Sequence, residues 1–170
     1  TLAARHEVRG LDLYAAGFDP VLSREGRLAY HTAGDNERGL EEHVAHLRWA
    51  EGMIFVYPTW WYGLPAMLKG WLDRAWLPGI TFTMPEPGKP VGPLMRHVRL
   101  LGGVSTYGAP WWFTRFVVGD PGRRTILRGL RPLCAPRCRT FWLAHYEMDS
   151  STPATRAAFM ARVEKRLARL

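Results

Sequence analysis

The chain has 170 residues, of which 47% are hydrophobic and 22% charged, and it carries a formal net charge of +8. This balance is typical of one globular domain, residues 1–170, with a substantial core, and it argues against an intrinsically disordered chain. The basic residues are spread along the sequence without a clustered stripe, so we do not expect nucleic acid as a partner.

The first third of the chain shows strand-like and helix-like patterns in turn. Residues 6–14 alternate imperfectly between apolar and polar side chains, which predicts a strand near a sheet edge. Residues 38–51 carry apolar side chains at helical spacing and predict a helix. Residues 53–57 are continuously apolar, which predicts an interior strand of a parallel sheet, buried on both faces.

A second helix and a long irregular segment follow. Pro65 is suited to the first turn of a helix, and the apolar residues after it form one stripe. Residues 78–93 are rich in proline and glycine, which predicts an irregular and often functional excursion. Residues 98–104 predict a second interior strand, in which Gly102 and Gly103 indicate the close approach of another chain segment or a ligand.

The last third repeats the alternation. Asp120 and Pro121 predict a helix cap and a first-turn proline that introduce a helix over residues 123–130. Residues 140–144 predict a third strand, and Thr152 with Pro153 introduces a closing helix. Strands alternating with helices predict an open, doubly wound parallel α/β sheet with helices on both faces.

An aromatic run directly follows the first interior strand. It reads Pro58-Thr59-Trp60-Trp61-Tyr62-Gly63. Large apolar rings among Pro and Gly indicate a planar ligand or a subunit contact, although each ring taken alone also fits a core or dimer-interface position. Ligands bind open α/β sheets beyond the carboxyl ends of the strands, where Ser105-Thr106-Tyr107-Gly108 also lies. Two loops therefore predict one site.

Other chemistries find little support in the sequence. Cys134 and Cys138 have no second pair and no nearby histidine set, so we predict two ordinary thiols in a reducing cytoplasm and no metal. No apolar run approaches the roughly 18 residues of a membrane span, and the start lacks a secretory signal, so we expect no integral membrane segment. Tyr107 is open to two readings, a proton donor or a structural phenol.

The run over residues 58–74 resembles the flavodoxin-like NAD(P)H:quinone oxidoreductase family, which includes quinone reductases and the modulator-of-drug-activity and potassium-efflux ancillary proteins. Shorter matches over residues 12–14, 18–20 and 79–82 extend the resemblance across most of residues 6–108.

The resemblance implies a bound flavin, either FMN or FAD, with NAD(P)H as co-substrate. It places the cofactor against Pro58, Thr59, Trp60, Trp61, Tyr62, Gly63, Thr106, Tyr107 and Gly108. It places the substrate near Trp61, Tyr62, Phe82 and Met84, some of them reaching the site of a partner subunit in a homodimer.

Two departures from the family pattern stand out. Residues 109–114 lack the Tyr and His that the family places after this turn, so no catalytic side chain is assigned. The family places an apolar first strand and a phosphate loop before the position of Thr1, so we expect the numbered chain to omit a leading segment, either by truncation or because the segment is not ordered. This predicts a gap one strand wide between the strands near Val8 and Phe55, and poor flavin affinity if the segment is physically absent.

The function implied is two-electron transfer from NAD(P)H through flavin to a quinone or a similar acceptor. The alternatives are a flavodoxin-like regulatory or binding subunit of a transporter, and a dimeric scaffold that no longer binds flavin. The choices between FMN and FAD and between NADH and NADPH stay open, as does the acceptor.

Overall fold

Three parallel strands form the sheet in the computed structural model, which describes residues 2–170. They are β1 (Gly52–Pro58), β2 (Leu100–Thr106) and β3 (Arg139–His145), in the order β1-β2-β3. Each of the three predicted interior strands is present within two residues of its expected start. The parallel sheet with its helices confirms the flavodoxin-like α/β fold.

Five α-helices accompany the strands within residues 2–170. They are α1 (Arg24–Ala29), α2 (Glu41–Trp49), α3 (Ala66–Ala75), α4 (Pro121–Arg124) and α5 (Pro153–Leu167). Two π-helical segments, Phe113–Val118 and Thr125–Leu130, flank α4. The sequence predicted α2, α3 and α5, but it missed α1 and the π-helical turns, and the helix predicted over residues 123–130 is α4 followed by one of these π-helical segments.

The helices cover both faces of the sheet, as predicted. On one face Leu47 of α2, Trp71 of α3 and Phe55 of β1 belong to the larger hydrophobic core. On the other face Val163 of α5 packs with Phe141 of β3 in a smaller cluster. Helices therefore lie on both faces of the sheet, although Val56 of β1 stays exposed on the α5 face, and the carboxyl ends of the strands form the rim.

The two predicted proline-led helix starts behave differently. Thr152 forms a capping box with Thr155, and Pro153 begins α5 as expected. Asp120 does not cap α4 with its side chain, and its backbone is left-handed at φ 52°. Asp120 does stand at the N-cap position with Pro121 in the first turn, as predicted, but its Oδ1 accepts the Tyr107 hydroxyl at 2.9 Å and its side chain caps no N–H of α4.

Gly102 and Gly103 lie beneath the rings of the neighbouring strand. A Cβ at Gly102 would overlap the Phe141 ring, and one at Gly103 would overlap the Trp142 ring. The close approach that these glycines predict is thus an approach by β3 side chains. It lets large aromatic residues lie flat on the middle strand.

The prediction of a strand at residues 6–14 is wrong, since this segment runs as coil and turn without a ladder partner. A groove of about 510 Å³ separates it from β1, and the lining includes Leu11, Leu13 and Trp71. The predicted gap is therefore present, although only β1 borders it as a strand.

β1 is consequently an edge of the described sheet, and burial on both faces was a wrong expectation for it. Val56 is 75% exposed. The Thr59 N–H and the Glu51 carbonyl bond to the β2 side. Because the direction of backbone groups alternates along a strand, those of Gly52, Ile54 and Val56 point into the groove.

The segment over residues 78–93 is irregular, as predicted, and isolated bridges, among them Phe82 with Pro93, and hydrogen bonds such as that from the Asn36 amide to the Pro78 carbonyl hold it in place. Within residues 2–170, none of the helices combines the length and the apolar character needed to cross a bilayer.

Candidate functional site

The loops that follow β1 and β2 lie side by side. We call residues 58–63 the bend and residues 105–108 the turn. Pro58 is in register with Thr106, and the Thr59 N–H donates to the Thr106 carbonyl oxygen at 2.9 Å. Parallel strands end at the same edge, so the bend and the turn form one rim, as the sequence predicted.

The bend has an unusual backbone. Trp61 and Tyr62 have φ angles of 46° and 62°, and the Gly63 N–H closes the loop on the Trp60 carbonyl at 2.9 Å. Left-handed conformations are uncommon for bulky residues and cost about 1–3 kcal/mol each. The Trp61 indole gains no burial in return, since it is 93% exposed, whereas the Tyr62 ring is partly buried. Strain without burial points to a functional role.

The backbone of the bend offers donors to a ligand. Trp60 forms an antiparallel bridge with Gly63, whereas among the described residues no protein acceptor bonds the N–H groups of Trp61 or Tyr62. Successive unpaired N–H groups in a turn form a concavity for electron-rich atoms. The pyrimidine edge of an isoalloxazine ring carries carbonyl oxygens and acceptor nitrogens, and the exposed indoles offer stacking surface. The residues present therefore fit a flavin ring.

A chain of hydroxyl groups supports the rim from below. The Ser105 hydroxyl donates to the Tyr57 carbonyl oxygen at 2.8 Å, and the Oγ atoms of Thr59 and Ser105 lie 2.9 Å apart. These bonds tie the end of β1 to the end of β2. Thr59 is partly exposed, so its side chain is the member of this chain that reaches the rim surface.

Tyr107 lies beneath the rim, not on it. It is 2% exposed, donates its hydroxyl proton to Asp120 Oδ1 at 2.9 Å, and stacks on Tyr146 with ring centroids 4.9 Å apart. Burial, and then the nearby Asp120, raise the pKa of Tyr107 well above the usual value. Of the two readings of this residue, the geometry favours the structural phenol.

Asp120 is a site residue that sequence reasoning missed as such. It is buried, and two residues later the Gly122 N–H donates to the Tyr62 carbonyl at 3.2 Å. The Gly119-Asp120-Pro121 sequence suggested only a helix start. The available signal in the sequence was a carboxylate directly after an apolar segment. Such a carboxylate, if buried, needs a hydrogen-bond partner.

An exposed apolar surface adjoins the bend, and the sequence analysis did not predict it. We call it the aromatic surface, and it comprises Trp111, Trp112, Phe116 and Val117, each more than half exposed. The Tyr62 and Phe113 rings, 6.0 Å apart, link this surface to the bend. Phe116 and Val117 belong to the π-helical segment Phe113–Val118, and Trp111 and Trp112 directly precede it.

The two remaining predicted substrate residues lie on the irregular segment. Phe82 and Met84 are partly buried, and the Met84 methyl group lies against Gly79. Phe82 pairs with Pro78 and Pro93, so both Phe82 and Met84 contact residues of their own segment. Their role at the substrate site stays a prediction that requires a second subunit.

The cysteines and histidines form no metal site within residues 2–170. Cys134 and Cys138 are free and buried, and burial raises the pKa of Cys134 to about 12. His43 accepts a hydrogen bond from the Trp71 indole at 3.3 Å, and burial lowers the pKa of its ring. These groups serve the core.

The family model described as "Flavodoxin-like fold" matches residues 1–127 of the chain. An uncharacterized NAD(P)H oxidoreductase of Haemophilus influenzae is 37% identical over 123 residues, which are 72% of this chain and 59% of that protein. NAD(P)H dehydrogenase [quinone] 1 of Rattus norvegicus is 33% identical over 94 residues, 45% of this chain and 34% of that protein. The chain thus spans between about a third and three fifths of these relatives.

Solved structures show the same fold. Smu.1420 of Streptococcus mutans superposes with a TM-score of 0.82 at 24% identity, covering 99% of this chain and 86% of that one. A putative quinone reductase of Klebsiella pneumoniae gives a TM-score of 0.74 at 21% identity, covering 98% and 73%.

Proposed function

Because the chain belongs to the flavodoxin-like fold family, with NAD(P)H quinone oxidoreductases among its relatives, we propose that it is a flavin-dependent NAD(P)H:quinone oxidoreductase. One observation carries the proposal. Two successive unpaired N–H groups of the bend, those of Trp61 and Tyr62, stand beside two exposed indoles at the rim where β1 and β2 end. That combination suits a flat, electron-rich ring.

The bend and the turn would hold FMN or FAD between them. When bound, the flavin takes a hydride from NAD(P)H and passes two electrons to a quinone or a similar acceptor. The N–H groups of Trp61 and Tyr62 would fix the ring's acceptor edge and favour negative charge there. Pro58, Gly63, Thr106 and Gly108 shape the slot with their backbone. Hydride transfer depends mainly on alignment, and the one further proton that a quinone needs to become a hydroquinone would come from solvent, so no side chain is assigned a proton-transfer role.

The substrate pocket would be completed by a second copy of the chain. The exposed rings beside the bend form the kind of apolar area that monomers rarely leave in water. A homodimer would cover part of it and bring Phe82 and Met84 of one subunit to the rim of the other. A cytoplasmic location also belongs to this proposal.

A second candidate is a flavodoxin-like binding subunit, for instance of a transporter. The aromatic surface favours it, because an apolar area of this kind also suits a different protein. A dimeric scaffold that binds no flavin is the third possibility, and it predicts that the bend binds no cofactor.

The test is titration of the purified chain with FMN and FAD, followed by addition of NADPH or NADH under nitrogen. We expect quenching of tryptophan and flavin fluorescence on binding, and bleaching of the flavin absorbance on reduction. Trp61→Ala should weaken binding, while Leu28→Ala, another exposed apolar residue distant in sequence from the bend, should not. Binding without reduction would favour the binding subunit, and no binding of either flavin would contradict both.

A further inference from the structure

Asp120 holds a buried carboxyl group behind the rim. The residue is 1% exposed, and its Oδ1 accepts the Tyr107 hydroxyl at 2.9 Å, while the buried Oδ2 has no protein partner among the described residues. Burying a carboxyl group is unfavourable unless it is well bonded. Its position therefore needs a reason beyond packing.

The backbone around Asp120 reaches the bend. The Asp120 N–H donates to the Thr114 carbonyl at 2.9 Å, and the Arg124 N–H donates back to the Asp120 carbonyl at 3.0 Å. Between these two bonds the Gly122 N–H donates to the Tyr62 carbonyl at 3.2 Å. The Asp120 side chain therefore bonds to the turn through Tyr107, and the backbone segment that follows Asp120 bonds to the bend through Gly122.

Gly122 also packs closely on the bend. A Cβ at this position would lie 3.2 Å from Tyr57 Oη and 3.3 Å from the Gly63 carbonyl carbon. Tyr57 Oη is buried and has no hydrogen-bond partner among the described residues. The segment, the bend and the end of β1 thus meet at a tight contact, and a shift of Asp120 would be passed on to the bend.

We propose that Asp120 is a positioning residue that sets the conformation of the bend by tying it to the turn through Tyr107 and Gly122. Asp120 would touch no ligand. Its importance for flavin binding rests on the proposed function, whereas its hold on the bend does not.

The test compares amide hydrogen exchange, followed residue by residue by NMR, in the wild-type chain and in variants. Asp120→Gly removes the carboxyl group but still accepts the positive φ, so it separates the side chain from the backbone. Tyr107→Phe removes only the hydroxyl group that donates to Asp120, and it keeps the test decisive if Asp120→Gly folds poorly. Asp73→Asn, which alters an exposed carboxylate paired with Lys69, is the matched control.

We expect the Gly122 and Gly63 amides to exchange about tenfold faster in both Asp120→Gly and Tyr107→Phe, the factor that one lost buried hydrogen bond produces. The amide of Leu101 in β2 should keep its rate, and Asp73→Asn should change all three by less than about twofold. Unchanged rates at Gly122 and Gly63, or equal acceleration at Leu101, would overturn the proposal.

A second measurement connects the residue to the ligand. The FMN dissociation constant should rise about tenfold in Asp120→Gly. It should return toward the wild-type value in Asp120→Asn, because an amide oxygen still accepts the Tyr107 proton and Asn tolerates the left-handed backbone. No rescue by Asn, with exchange altered as expected, would overturn the link to binding. If the wild-type chain binds no flavin, the proposed function fails while the exchange rates still judge the positioning role.

Discussion

Thr59 donates its hydroxyl proton to Ser105, because Ser105 has already given its own proton to the carbonyl oxygen of Tyr57. The two bonds measure 2.9 Å and 2.8 Å. A serine hydroxyl has a single proton, so the direction of the pair is fixed. Thr59 therefore presents lone pairs to the rim, and a ligand group that meets it is best served by being a donor, as the N–H of a flavin pyrimidine ring is.

Replacing Ser105 by Ala should destabilise the chain. The substitution leaves the Tyr57 carbonyl and the Thr59 hydroxyl without their buried partner, which costs about 1–3 kcal/mol. We expect a fall of that size in the free energy of unfolding measured by urea denaturation. Ser150→Ala removes an exposed hydroxyl bond and should stay within about 0.5 kcal/mol. Equal effects of the two substitutions would contradict the buried network.

Gly102→Ala should disrupt the contact between β2 and β3. The new methyl group would overlap the Phe141 ring, and overpacking of a core costs about 1–3 kcal/mol. The measurement is the midpoint of chemical denaturation. Gly10→Ala is the control, because nothing lies within 4 Å of a Cβ at that position and its φ is not positive. A neutral Gly102→Ala variant would show that the ring can move aside.

Trp61→Gly should separate stability from binding. Glycine accepts the positive φ, so relief of strain should raise the free energy of unfolding by about 1 kcal/mol. Loss of the exposed indole should weaken flavin binding about tenfold, since an aromatic pair contributes about 1 kcal/mol beyond its burial. The readouts are thermal unfolding and a flavin titration.

Trp60→Gly is the matched control for that experiment. Trp60 has no positive φ, so its replacement should not raise stability and should lower it slightly through chain entropy. A stability gain in both variants would contradict the strain argument at Trp61.

His43 should make stability fall in mild acid. Burial lowers the pKa of its ring in the folded chain, whereas the unfolded residue titrates near about 6.5. Below that pH the unfolded chain binds more protons, so the stability present at neutral pH is lost as the pH falls toward the folded pKa. The measurement is urea denaturation at several pH values between about 7.5 and 5.5.

His43→Asn should flatten this pH dependence, because its Oδ1 stands where Nδ1 of the ring stood and still accepts from the Trp71 indole without titrating. His6→Asn, at an exposed position, should leave it unchanged. Carboxyl groups are shared by all three chains, so only the difference between them tests the role of His43.

The sequence predicted the strands of the sheet well, because buried strands are marked by continuous runs of apolar residues. β2 is the clearest case, since Leu101 and Val104 are apolar in the sequence and buried in the structure. The same signal was misleading for β1, where Val56 is apolar and exposed, because apolarity does not report whether another element covers that face of the strand.

The site was predictable only in part. The aromatic bend and the Ser105 to Gly108 turn stood out as unusual residues at strand ends, and the structure does bring them together. The role of Asp120 did not stand out, because its partners Tyr107 and Gly122 are defined by tertiary folding. The strand predicted at residues 6–14 is absent for a related reason. An imperfect alternation of apolar and polar residues forms a strand only when a neighbouring strand pairs with it.

The open side of β1 has a consequence for how this chain behaves in concentrated solution. The outward amides and carbonyls of Gly52, Ile54 and Val56 form a ready template, and the apolar walls around them favour any extended segment that docks there. Two molecules meeting edge to edge would satisfy those groups mutually, so self-association through this border is a hazard that a lysine in place of Val56 should relieve.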